Sequence, residues 1–363
     1  MRAATATIDL TALRHNLAVA RARGTGAKVV AVVKANGYGH GAPRLLPALT
    51  GADMLAVACI EEALALREAG AAQPILLLEG VFEADELPLC VQQGFEIAVH
   101  EPGQLRMLEA AQLKHPLTAW LKVDSGMNRL GFRPEEASAA LAGLRNCAAV
   151  APSLRLMTHF ASADEPSEPA TRAQIDRFAS AVQSLDLERS FCNSAGVLAW
   201  PEAHAEWIRP GVMLYGVSPL AGRTGHDEGL HPVMTLTTRL IAIKQVPAGE
   251  TVGYAGTWRA ATDNRIGIAA LGYGDAYPRH AGSGTPVLVG GRPAALAGRV
   301  SMDMLAIDLE GHPEAQVGTP VTLWGKGLPV ETIAAHAGTI AYELLCGITG
   351  RVHVEIVGRE PGI

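Results

Sequence analysis

Short apolar runs alternate with amphipathic stretches through the first two-thirds of the chain, and this spacing predicts a strand–helix repeat. The runs are residues 29–33, 55–60, 75–78, 96–100, 117–123, 154–160, 190–193 and 207–209. Segments with a helical stripe lie between several of them, among them 61–69, 102–111, 134–146 and 169–184. Pro102 and Pro134 stand where a helix tolerates proline, in its first turn. A strand with water on one face alternates polar and apolar side chains. These runs do not, as expected of parallel strands covered on both faces.

Eight such units over about 220 residues suit an α/β architecture with an N-terminal (β/α)8 TIM barrel. A doubly wound open sheet is the competing arrangement. Its G-x-G-x-x-G fingerprint belongs just after the first strand, where this chain reads Lys34-Ala35-Asn36-Gly37-Tyr38-Gly39-His40-Gly41, with glycines at alternate positions. That disfavours a dinucleotide fold. After about residue 231 the pattern changes to β-branched and alternating runs at 235–246, 265–271, 286–289, 304–309, 321–324 and 352–357. Only 330–337 keeps a helical period there, so a mostly-β C-terminal domain is predicted. The glycine-rich stretch 221–229 is the best linker.

Composition narrows the function classes. With 48% hydrophobic and 18% charged residues, the chain reads as globular, and a formal net charge of −6 without any basic run excludes a nucleic-acid surface. No apolar run approaches the ~18 residues of a membrane span. The first ten residues lack the apolar core of a secretion signal. Cys59, Cys90, Cys147, Cys192 and Cys346 are odd in number and without metal-ligand spacing, and they read as buried free thiols in a cytoplasmic protein. Chemistry on a small molecule is expected, with no metal, no nucleic acid and no membrane.

A parallel barrel places its active site at the C-terminal ends of its strands. Those ends carry Lys34 on the first strand, Lys122 and Asp124 on the fifth with Arg129 beyond, His159 on the sixth, Asn193 and Ser194 after the seventh, and Arg209 after the eighth. Lys34 fits two readings, a strand-end lysine reaching solvent or an amine desolvated so that it can form an imine. The segments Asn193-Ser194-Ala195-Gly196 and Arg209-Pro210-Gly211-Val212 fit ordinary caps or a phosphate cradle of hydroxyl and backbone N–H groups. Tyr38 is placed to add a phenolic donor. A phosphate site opposite a reactive lysine points to pyridoxal 5'-phosphate.

The segment from Val32 to Gly41, V-V-K-A-N-G-Y-G-H-G, resembles the cofactor motif of bacterial alanine racemases. So do K-V-D-S-G-M-N-R-L-G at 122–131, M-T-H-F-A at 157–161, 193–195, R-P-G-V-M-L-Y-G at 209–216, 253–258 and R-V-S-M-D-M at 299–304. They occur in family order along nearly the whole chain. The resemblance implies a barrel over residues 9–226, with 1–8 and 227–363 forming the mostly-β domain. It also implies a homodimer with shared active sites, and L- and D-alanine as substrates.

The resemblance further implies that Lys34 holds pyridoxal phosphate as a Schiff base and is the base for D-alanine. Tyr254 of the partner subunit serves L-alanine on the opposite face, so that two bases flank the reacting carbon. Arg209 faces the pyridine nitrogen, and as a pure donor it keeps that nitrogen unprotonated. Tyr38, His159, Asn193, Ser194, Gly211, Val212 and Tyr342 are implied cofactor contacts. Arg129 and the Met302 N–H meet the substrate carboxylate. Lys122, at a position often carbamylated in the family, and Asp303 support them. Asp164, Tyr273, Arg279, Arg299 and Ile340 match the lining of a narrow access channel that restricts the substrate to small side chains.

The chain departs from the family pattern at two places. Some members have a histidine three residues before the Asn-Ser pair; here it is Ser190, which shortens the relay from Arg209. Many members read R-V-P-R where this chain has Arg351-Val352-His353-Val354, a change expected to bear on local β structure. Alternatives are a serine or broader-specificity racemase, a decarboxylase (disfavoured by Arg209), and a non-enzymatic cofactor-carrying barrel that would leave Tyr254 and Met302 without a role. A metallohydrolase would need an H-x-H after the first strand. Whether the role is D-alanine supply for peptidoglycan or alanine breakdown stays open.

Overall fold

The computed structural model describes residues 3–183 and 185–359. Residues 1–2 and 360–363 of the expected β domain, and Ser184 at the end of the expected helix 169–184, lie outside them. The described chain forms two units, one of residues 14–214 with 218–223, the other of residues 3–13, 215–217 and 224–359.

Strand β1 (Thr5–Asp9) belongs to the second unit. All eight apolar runs of the first unit become strands: β2 (Lys28–Val32), β3 (Met54–Val57), β4 (Ile75–Leu77), β5 (Phe95–Val99), β6 (Ala119–Lys122), β7 (Arg155–Met157), β8 (Arg189–Ser190) and β9 (Trp207–Ile208). They pair in parallel in that order, and β9 closes onto β2 through Lys28↔Trp207 and Val29↔Ile208. Their continuous hydrophobicity follows from cover on both faces, and Val29, Leu55, Ile75, Ile97 and Leu121 are wholly buried. Helices return the chain outside the barrel. The helix Pro102–Ala110 starts where Glu101 caps the Gln104 N–H at 3.1 Å and proline occupies the first turn.

The N-terminal end of the barrel is closed by a charged aromatic plug. The Arg155 guanidinium lies 5.2 Å from the Trp120 ring centroid and 5.0 Å from that of Trp207. It donates to Glu96 at 2.5 Å and to Glu188 at 3.0 Å. Glu188 also accepts from Trp207 Nε1 (2.7 Å) and Lys28 Nζ (2.6 Å). Burial acts to raise the Glu188 pKa, but bonds from Lys28, Trp207 and Arg155 together outweigh it and hold the carboxyl down at about 2. A depressed carboxylate stabilises the fold above its unfolded pKa and loses that contribution as pH falls through the folded one. We therefore expect the wild-type melting temperature to fall steeply between pH 4.5 and about 2. Glu188→Gln should start lower at neutral pH and show a flatter curve in that window. Parallel curves by calorimetry would contradict this assignment.

The second unit is built on one eight-stranded sheet. Its further strands are β10 (Met234–Val246), β11 (Thr251–Val252), β12 (Trp258–Arg259), β13 (Asn264–Ala269), β14 (Pro286–Val289), β15 (Arg292–Leu296), β16 (Leu305–Asp308), β17 (Pro320–Trp324) and β18 (His353–Val357). The sheet order is β13-β16-β15-β14-β17-β10-β1-β18, β11 and β12 forming a separate hairpin. Strand β1 is inserted between β10, antiparallel, and β18, parallel. Tyr277 stacks on Trp324 at 5.9 Å in its core.

Three expectations need revision. Strand β15 has no counterpart in the hydrophobic pattern, because Arg-Pro-Ala-Ala carries little β propensity. A short helix, Ala341–Cys346, follows the expected one at Val330–Ala337. Of the five cysteines expected as buried thiols, Cys59 is half-buried and Cys346 exposed, so only Cys90, Cys147 and Cys192 are buried.

Candidate active site

Lys34 follows the first barrel strand and opens a left-handed turn. Ala35, Asn36, Gly37, Tyr38 and Gly39 have φ of 52°, 54°, 65°, 50° and 79°. Left-handed backbone costs an L-residue roughly 1–2 kcal/mol, so three non-glycine residues in a row of five need outside restraint. It comes from Glu62, accepting the Asn36 N–H at 3.2 Å, and from Asn36 Oδ1, accepting the Ala42 N–H at 3.1 Å. His40 Nδ1 donates to the carbonyls of Gly37 (3.0 Å) and Tyr38 (2.8 Å). Burial pushes the His40 pKa down to about 4 against the pull of those two carbonyls, so the ring is neutral and its proton sits on Nδ1. The turn directs Tyr38 towards the 209–212 segment. A Cβ added at Gly211 would lie 2.5 Å from the Tyr38 hydroxyl oxygen, so that position requires glycine.

Asn193 and Ser194 divide two tasks. Asn193 caps the helix Ser194–Ala199 through the Gly196 N–H at 3.0 Å. The buried Ser194 hydroxyl accepts the Gly211 N–H at 2.8 Å and the Met213 N–H at 3.2 Å. Val212, buried, begins the 3-10 helix Val212–Tyr215.

Arg209 is almost wholly buried and donates to three neutral oxygens: Ser190 Oγ at 2.5 Å, the Thr158 carbonyl at 2.5 Å and the Phe191 carbonyl at 3.4 Å. Burial lowers its pKa to about 10, so it remains charged at neutral pH. The Ser190 hydroxyl in turn donates a hydrogen bond to the Trp207 carbonyl at 2.9 Å. The relay from Arg209 therefore ends on backbone, as its serine implies.

Lys34, Lys122, Arg129, His159 and Arg209 share one electrostatic field. Burial lowers the Lys122 pKa first, and Arg209, Arg129 and Lys34 add to the shift, bringing it to about 8 against a weaker opposing pull from Glu79. Desolvation, then Arg209, Lys122, Arg129 and Lys34, hold the His159 imidazole well below its ordinary value and hence neutral. Arg129 is exposed at the rim, on a loop whose turn is set by Asp124 Oδ1 accepting the N–H groups of Gly126 (2.9 Å) and Asn128 (3.0 Å). Asp164, half-buried, accepts the Ala221 N–H on its carbonyl at 3.2 Å. Cations gathered around one mouth make it a favourable place for an anionic ligand.

In the other unit, a second set of expected residues gathers on one face. A Cβ added at Gly253, beside Tyr254, would lie 3.7 Å from the Arg299 backbone nitrogen. The N–H groups of Tyr273 and Gly274 reach the carbonyls of Ser301 (3.1 Å) and Met302 (2.9 Å). Arg279 lies 6.0 Å from the Tyr273 ring. Arg279 and Arg299 border one open cleft of about 710 Å³ with Thr257 and His280. Tyr254 is 65% exposed, Ile340 62% and Met302 52%, large side chains left open to solvent within one chain. Ile340 precedes the helix that carries Tyr342.

Two contributions were not expected from the sequence. Arg351 bonds Asp303 at 2.5 Å and the fully buried Asp275 at 3.2 Å. Arg351 itself matches the family's R-V-P-R, whereas the departure falls on His353 and Val354 within β18, so the arginine's link to the Met302–Asp303 turn is separate from it. Its signal was an arginine directly preceding an expected strand. Glu79, beyond β4, lies in the field of Lys122; it stands at a strand end, and that rule alone would have found it.

Comparison with known proteins supplies a family. The alanine racemase N-terminal domain model matches residues 8–219 and the C-terminal domain model residues 233–356. An alanine racemase of Vibrio atlanticus is 50% identical over 357 residues, covering 98% of this chain and 100% of its own. One from Nitrosococcus oceani is 51% identical over 347 residues, covering 96% and 97%. The crystal structure of the biosynthetic alanine racemase from Pseudomonas aeruginosa superposes with a TM-score of 0.95 at 50% identity, covering 98% of this chain and 100% of its own.

Proposed function

The chain belongs to the alanine racemase family, and on that premise we propose that it interconverts L- and D-alanine with pyridoxal phosphate bound at the barrel mouth through Lys34. The observation that carries this reading is the group of basic side chains, Lys34, Lys122, Arg129 and Arg209 with neutral His159, beside a glycine that keeps space open against Tyr38. The residues fit a phosphorylated ring: an amine for the aldehyde, a buried charged donor for the ring nitrogen, and hydroxyl and backbone donors for the phosphate. When bound, the cofactor supplies the electron sink that acidifies the α-hydrogen of the amino acid.

Arg209 has no carboxylate among the acceptors described above and stays charged, so it presents only donors to the ring nitrogen and leaves it unprotonated. Arg129 receives the substrate carboxylate, assisted by the Met302 N–H of the partner subunit. Lys34 takes or returns the α-proton on one face, and Tyr254 of the partner subunit serves the other. Tyr38 and Ser194 are assigned to the phosphate, with Asn193, Gly211, Val212 and Tyr342; His159 would sit beside the ring as a neutral imidazole. Asp164, Tyr273, Arg279, Arg299 and Ile340 line the access channel. The exposed Tyr254, Ile340 and Met302 support a homodimer, since a partner would cover them.

Lys122 suits carbamylation. With a pKa of about 8, on the order of a tenth of its amine is neutral at pH 7. Carbon dioxide adding to the neutral amine, with loss of one proton, would give a carbamate; counted from the ammonium form, two protons leave and a cation in the field of Arg129 becomes an anion. Supply of D-alanine is the role we propose, as for the relative described as biosynthetic. The test is incubation of the holoenzyme with L-alanine in deuterated water. D-alanine carrying deuterium at Cα is expected, with a far lower kcat/KM for serine. Unchanged L-alanine would overturn the reading, and equal use of serine would replace it by a broader racemase.

A further inference from the structure

Arg129 and His159 sit on two loops, after β6 and β7, that have no regular structure of their own. Both loops are tied to one side chain on the outer helix Ala170–Val182. Gln174 donates through Nε2 to the His159 carbonyl at 3.1 Å and to Ser125 Oγ at 3.3 Å. Its Oε1 accepts the Ala161 N–H at 2.8 Å. Ser125 Oγ in turn pairs with Thr158 Oγ1 at 2.8 Å, and the Thr158 carbonyl is the one that receives Arg209. One turn along the helix, Arg177 donates to the Ser125 carbonyl at 2.6 Å. A side chain at Gly126 would meet that guanidinium at 2.6 Å. Gln174 is 3% exposed, and Ser125 and Thr158 are wholly buried, so solvent cannot replace these bonds.

We propose that Gln174 is a positioning residue that holds the Arg129 and His159 loops in register with each other. It rests on the racemase reading. An amide is the one side-chain group that donates twice and accepts at the same carbon. Leucine would fill the space but leave the His159 carbonyl and the Ala161 N–H without their partner. Glutamate keeps the acceptor for Ala161 and sets an unprotonated oxygen against the His159 carbonyl, a conflict that protonation relieves.

The experiment compares wild type, Gln174→Leu, Gln174→Glu and the milder Ser125→Ala. Gln174→Leu should raise KM for both alanine enantiomers about ten- to a hundredfold, the scale expected when a contact residue is misplaced by a fraction of an ångström. Ser125→Ala should shift KM in the same direction by less. The Gln174→Glu defect, relative to wild type at each pH, should narrow as pH falls, and that of Gln174→Leu should not. Amide hydrogen exchange in the protein without cofactor should speed up together in loops 124–131 and 158–163, leaving 193–199 unchanged. A lowered melting temperature with KM within twofold of wild type, or faster exchange in only one loop, would reduce Gln174 to a packing role and overturn the proposal. An inactive wild type would sink the racemase reading, while the exchange result would still decide whether Gln174 couples the two loops.

Discussion

Lys34→Ala should abolish both racemisation and the visible absorbance of bound pyridoxal phosphate. The side chain has two assignments, covalent attachment of the cofactor and proton transfer on one face of the substrate. Loss of a general base alone costs typically about 10²–10⁴ in rate, and loss of attachment adds to it. The strained left-handed turn behind Lys34 argues for a functional position, since such backbone persists where surrounding contacts over-determine it. Here Glu62, Asn36 and His40 supply those contacts. The variant should fold with a melting temperature near that of the apoenzyme, because Lys34 is only half-buried. Polarimetry and the absorption spectrum check the outcome. Activity within tenfold of wild type would assign the chemistry to another residue.

Tyr254→Phe should lower kcat in both directions by about 10²–10⁴ while leaving cofactor absorbance intact, because a proton carrier is lost without a loss of binding. On the two-base reading both directions suffer, because each turnover would use both faces. Tyr254 is 65% exposed within its own chain, which leaves its hydroxyl open to a partner. If the partner supplies it, Lys34→Ala and Tyr254→Phe chains should complement each other. Random exchange of equal amounts makes half the dimers mixed, each with one intact site, so about a quarter of wild-type activity should return. Exchange verified by mass spectrometry with no recovered activity would place both residues in one chain's site.

The barrel was legible because strands buried on both faces leave unbroken apolar runs, and each of the eight appears within a few residues of its expected place. Strand ends then put Lys34, Lys122, His159 and Arg209 on a list of candidates, and the motifs, not the geometry, gave them roles. Tyr254, Met302 and Ile340 carried no such signal: an exposed residue on an irregular loop has no period, and only the motifs marked them. Arg292-Pro293-Ala294-Ala295 hid a strand because its pairing comes from neighbours and not from its own propensity. Gln174 did leave a trace. Buried positions of its helix are Thr171, Gln174, Ile175, Phe178 and Val182, a helical stripe in which an amide stands among apolar side chains. A polar residue inside such a stripe is a question about partners, and the partners here are the backbone of the His159 loop and the Ser125 hydroxyl.

The most direct test of cofactor attachment is reduction of the purified holoenzyme with borohydride, followed by digestion and mass spectrometry. The visible band should vanish, and the phosphopyridoxyl mass should sit on the peptide containing Lys34. The same mass on the Lys122 peptide, or on no lysine at all, would contradict the account.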